Sequence, residues 1–130
     1  MNFLGRNLKA LMLVSGVLTS CMLYVVIWPA AAMRSMFGVS LEGSALDIVV
    51  RDWGFLIFLT GVLLIYGGLR PVHRAPVIVF SCAGKAMFVA LVLALGGQAI
   101  RNAWPAVAFD AGISVLLMCG LLSATQSDTQ

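Results

Sequence analysis

The sequence predicts an all-α integral membrane protein, a single bundle of four transmembrane helices over residues 1–130, and three observations carry that reading. First, 62% of the residues are hydrophobic and only 10% charged, with a mean hydropathy of +1.05. A soluble fold of this size leaves too much surface in water to hide such a chain. Second, the apolar residues fall into four runs, each close to the roughly 20 residues that cross a bilayer, at about 10–28, 50–69, 77–97 and 105–122. Third, four crossings bring Trp28, Trp53 and Trp104 to one face, the arrangement of an interfacial aromatic belt.

Arg6 and Lys9 precede the first run, and Pro29 closes it. Ala30 and Ala32 offer a small-residue cleavage site, so a signal peptide competes. The run is longer than the usual signal core of about 7–15 residues, however, and is read as a span. The connection 29–46 is the longest, and Met33, Met36, Phe37 and Val39 mixed with Arg34 predict a short segment lying at the interface.

The second run organises the chain. Gly54, Gly61 and Gly68 stand seven residues apart, forming one smooth helical stripe under a charged head of Asp47, Arg51 and Asp52. Such a stripe lets another backbone come close. Ser44 is the expected N-cap, and Asp47 and Arg51 form an i,i+4 pair in the favourable order. Arg70, His73 and Arg74 lie in a tight basic turn suited to lipid phosphates. Ala86, Ala90 and Ala94 give the third span a small-residue row, Pro105 opens the fourth, and the polar tail 123–130 is expected to fray.

Two charges fall inside spans. Lys85 stands near the middle of the third, roughly 15 Å from either interface at the helical rise, too deep to snorkel. Facing lipid it would cost at least about 3 kcal/mol, so it is expected to face the bundle, with Ser81 on its side. Asp110 is expected roughly 10 Å shallower along the axis, with Ser114 a turn deeper, which makes Arg51 its nearer partner. The predicted site is a polar track: Arg51 and Asp110 near the mouth, Asp52 close by, Lys85 at the bottom. The alternative is an Arg51–Asp110 pair that only locks two helices.

Several function classes are excluded or weakened. The net charge of +3 is too dispersed for nucleic-acid binding. One histidine and three isolated cysteines, read as buried packing thiols, argue against a metal centre, haem or dithiol chemistry. No nucleophile elbow, zinc-protease, P-loop or dinucleotide pattern occurs, so no catalytic residue or cofactor is assigned.

Arg51-Asp52-Trp53-Gly54 opening the second span, with Gly84-Lys85 inside the third, resembles the DoxX-like superfamily of small four-helix membrane proteins, in particular its uncharacterised bacterial branch. The likeness covers roughly residues 8–123 by layout; this chain has lysine where that branch has arginine. It implies a four-helix fold in a bacterial inner membrane, and some relatives associate with quinone-linked or thiol-redox complexes. The leading expectation is a non-catalytic accessory subunit, or a binder of a small or lipidic ligand through the polar track. Its partners would be the bilayer and either further copies of itself or a membrane complex. The alternatives are a small oligomeric transporter or proton-coupled carrier, with Lys85 and Asp110 titrating, and a quinone-linked redox accessory. Arg6, Lys9, Arg70 and Arg74 on one face against Arg34, Arg51 and Arg101 on the other favour cytoplasmic termini.

Overall fold

The structure is a computed structural model that describes residues 3–127. Among the described residues it is helical with no strand: α1 (Phe3–Arg6), α2 (Leu8–Ser20), α3 (Leu23–Ile27), α4 (Pro29–Phe37), α5 (Ser44–Leu69), α6 (Arg74–Leu95) and α7 (Ile100–Ser127). Counting α2 and α3 as one rod, four helices are long and apolar enough to cross a membrane. They form a ring in chain order, α5 against α2 and α3, α6 against α5, and α7 against both α6 and α2.

The closest approach is made by the glycine stripe. Gly54, Gly61 and Gly68 are all buried, and all three face the first rod. A methyl group on Gly61 would stand 2.7 Å from the Gly16 carbonyl oxygen, and one on Gly54 2.7 Å from Val25 Cβ. Gly16 returns the contact, its own Cβ position lying 2.8 Å from the Gly61 carbonyl oxygen. Where the two backbones meet, the first rod tightens. The Met22 and Tyr24 amides bond three residues back, to Thr19 and Cys21, so a 3₁₀-like turn separates α2 from α3.

Below the crossing, Leu8, Met12, Leu64, Ile78, Cys82 and Leu117 form the main core, drawn from all four rods. At the other end Val92, Ala103 and Val107 pack with Phe37 and Phe88.

Several boundaries differ from the sequence expectation. Gly43, at φ +89°, is the N-cap of α5, and no side chain caps it, so Ser44 is the first helical residue instead. The segment after Pro29 is the helix α4, which packs against α3, α5 and α7, with Pro29 and Ala32 buried. The most consequential difference is α7. It starts at Ile100 and carries Pro105 inside. An interior proline loses a helical bond and crowds the preceding turn, but here that turn is held by Ala103 and Val107, buried against α6 and α4. The same helix runs on through Ser127, so 123–127 are helical rather than frayed, and 128–130 lie outside the described residues. Finally, Ala86, Ala90 and Ala94 are exposed on the outer face of α6, and so are Cys21 and Cys119; only Cys82 is buried.

Candidate functional site

Lys85 and Asp110 meet directly. Lys85 Nζ donates to Asp110 Oδ1, joining the middle of α6 to α7, and the two side chains are 7% and 17% exposed. The ammonium also lies 5.2 Å from the centroid of the Phe109 ring, within cation–π range. This overturns the expected Arg51–Asp110 pair, and the start of α7 is the reason. Asp110 lies ten residues past Ile100, and Lys85 ten residues before Leu95. In antiparallel neighbours both are therefore about 15 Å from the same end. A helix opening at Pro105 would have left Asp110 about 7.5 Å higher.

The pair forms part of the wall of a cavity of about 320 Å³ between the four rods, with Met36 of α4 at its rim. Most of the wall is apolar: Trp53, Leu56 and Ile57 of α5, Phe88 of α6 and Phe109 of α7. Gly84 contributes open space, since a methyl there would meet nothing within 4 Å. Two more polar groups line it. Thr19, 3% exposed, and Ser81, 1% exposed, each carry a buried hydroxyl oxygen with no hydrogen-bond partner among the described residues. Lys85 has donors left, because an ammonium has three N–H groups, and Asp110 has its second oxygen. Thr60 also lines the cavity, but its hydroxyl donates to the Leu56 carbonyl at 3.0 Å.

Arg51 belongs elsewhere. Its Nε donates to Asp47 Oδ2 at 2.9 Å, the expected i,i+4 pair, and its Nη1 donates to the Val26 carbonyl. The last carbonyls of a helix have no partner of their own, and Pro29 removes another donor. The guanidinium thus caps the end of α3 and ties it to α5. Asp52 is exposed and lines neither the cavity nor the groove described below. Of the basic turn, Arg74 donates to the Gly68 carbonyl at 3.1 Å, closing the end of α5, and His73 stacks on Tyr66 at 5.4 Å. Arg70 is exposed. Trp53 is half-buried among aromatic rings. Its ring sits 6.3 Å from Phe88 and 6.1 Å from Phe37, inside the bundle, whereas Trp28 and Trp104 are exposed.

Thr19, Phe88 and Phe109 were not singled out from the sequence. A signal existed for Thr19: Met12, Ser15, Gly16 and Thr19 are all buried at helical spacing on α2, a stripe whose two hydroxyls mark the inward face. Nothing comparable distinguishes Phe88 or Phe109 from other phenylalanines in apolar runs.

Chemically, the arrangement is an ion pair on the wall of a largely apolar, partly open cavity. Among the described residues no three histidine, cysteine or carboxylate side chains group to hold a metal ion. Compared with models of protein families, with curated proteins and with solved structures, the chain matches none.

Proposed function

We propose that this is a multi-pass membrane protein that binds a small, largely apolar molecule in the central cavity, gripping that molecule's polar group at Lys85 and Asp110, without chemical conversion. Membrane residence is supported by the four long apolar helices and by an outer surface where Val14, Val62, Leu63, Phe80 and Val115 are exposed. The resemblance to DoxX-like proteins adds the bacterial inner membrane as the setting. One observation carries the ligand-binding reading. The Lys85–Asp110 pair stands on the wall of an otherwise largely apolar cavity. A cavity of about 320 Å³ is at the small end of ligand pockets, which run to about 1,000 Å³ and combine apolar walls with a few polar groups.

Gly84→Leu tests the binding. The site of the new side chain is open, so the bundle is expected to fold while the cavity is filled. Native mass spectrometry of the protein purified from its host should then show a small molecule on the wild type and none on Gly84→Leu. Equal occupancy of both proteins would place the bound molecule elsewhere.

Orientation follows the basic residues, with both termini cytoplasmic. Cysteines introduced at the exposed positions Asn7 and Glu42, with the native cysteines replaced, should label from opposite sides of sealed vesicles. Labelling from one side would contradict the four crossings. A proton-coupled carrier is the second reading, favoured by two ionisable groups together at mid-depth. It requires uptake driven by a pH gradient in vesicles, which simple binding does not.

A further inference from the structure

A second concavity adjoins the first. It is a groove of about 380 Å³ at the Trp28 end of the bundle, between α5 and α6, with Met33 and Phe37 of α4 at one side. Among the described residues, no charged, hydroxyl-bearing or amide side chain lines it, and it opens to the outer surface, where Val49, Leu91 and Leu95 are 61%, 50% and 78% exposed. Trp53 and Phe88 line both the groove and the cavity. The Phe37, Trp53 and Phe88 rings stand 6.1–6.5 Å apart, and the adjacent residues Met36 and Phe37 take opposite sides, one in the cavity and the other in the groove. Three aromatic side chains therefore form a partition, and side chains change rotamer far more readily than backbone moves.

We infer that the groove takes the hydrocarbon tail of the same ligand whose polar head reaches Lys85 and Asp110, and that this ligand is an uncharged single-chain amphiphile entering from the bilayer between α5 and α6. The inference rests on the ligand-binding reading above. Three features select this occupant. Among the described residues, Lys85 and Asp110 are the only charged ones on the cavity wall and cancel each other, so a net charge brought there would be left uncompensated in a largely apolar surrounding. The spare N–H donors of the Lys85 ammonium suit a head that accepts hydrogen bonds, such as an ester, ketone or hydroxyl group. The groove spans Phe88 to Gly96 on α6, about 12 Å at the helical rise, far short of the roughly 30 Å a docked membrane helix would cover. Sharing Trp53 and Phe88 as a common wall with the cavity places it as one end of a head-and-tail site, with the aromatic partition as the door.

Quenching of Trp53 fluorescence reads the site directly. Trp28→Phe and Trp104→Phe, both at exposed positions, leave Trp53 as the only tryptophan. In detergent, this protein is titrated with three probes of one chain length, brominated in mid-chain: a monoacylglycerol, an alkyl sulfate and a bare alkane. The monoacylglycerol should quench saturably and bind roughly tenfold or more tighter than the other two, the scale of a lost charge-assisted hydrogen bond or an unmatched charge. Val49→Phe, which adds bulk at an exposed rim of the groove, should weaken the monoacylglycerol to a similar degree and leave a head-only ligand, brominated glycerol, unaffected. Gly84→Leu should abolish saturable binding of both. If Gly84→Leu abolishes binding and Val49→Phe does not weaken it, the cavity binds ligand but the tail groove is overturned. If neither variant matters, or all three chains quench alike, both the groove and the cavity reading fail.

Discussion

Asp110→Leu should destabilise the bundle by about 3–5 kcal/mol, the usual cost of leaving one member of a buried ion pair alone. Lys85 is 7% exposed, and Asp110 is its only ion-pair partner among the described residues. Without that carboxylate the ammonium must draw water into the cavity or push the helices apart. Removing both charges is a different experiment. In Lys85→Met/Asp110→Leu no charge is stranded, and replacing a buried pair by apolar groups is often neutral or stabilising by about 1–4 kcal/mol. The double variant should therefore unfold no more readily than the wild type in a denaturant titration in detergent micelles. A double variant as damaged as Asp110→Leu alone would mean that the pair holds the fold together, and its ligand role would lose its physical basis.

Gly61→Leu should also cost several kcal/mol, through sterics rather than charge. Its Cβ would enter the space of backbone atoms, 2.5 Å from the Ser20 nitrogen and 2.7 Å from the Gly16 carbonyl oxygen. Overpacking typically costs about 1–3 kcal/mol when side chains can shift, and more when they cannot. Here the obstacles are main chain on the first rod, so the two helices must separate. Gly112→Leu is the control, since nothing stands within 4 Å of its Cβ position. Thermal unfolding in detergent should separate the two variants clearly; matching midpoints would mean that the helices do not approach at Gly61.

The contrast between these glycines and the alanine row shows what the sequence could convey. Spacing identifies a smooth helical face without saying which way it looks. Gly54, Gly61 and Gly68 face the first rod, whereas Ala86, Ala90 and Ala94, equally regular, face outward. The inward direction of Lys85 was legible because burial in lipid leaves a mid-span charge no other choice. Its partner was not, because the local pattern at Pro105 is that of a helix start. Pro105 is common enough at that position to mislead, and the turn before it is helical only through packing against α4 and α6, which no local pattern records. A shift of five residues changed the depth of Asp110 by about 7.5 Å and transferred its pairing from Lys85 to Arg51. Arg51 was in turn drawn toward the site because the orphan carbonyl it caps, that of Val26, belongs to another helix and is invisible from sequence.

The central claim is that the Lys85–Asp110 pair exists to hold a ligand's polar group. Its most direct measurement is the rise in thermal midpoint on adding back the small molecules extracted from the purified wild type. A ligand at about 100 times its dissociation constant stabilises the folded state by about 2.7 kcal/mol. The wild type, stripped of bound material, should gain a clear and saturable upward shift. Lys85→Met/Asp110→Leu, folded but without the pair, should gain none, and an equal shift in both proteins would contradict the claim.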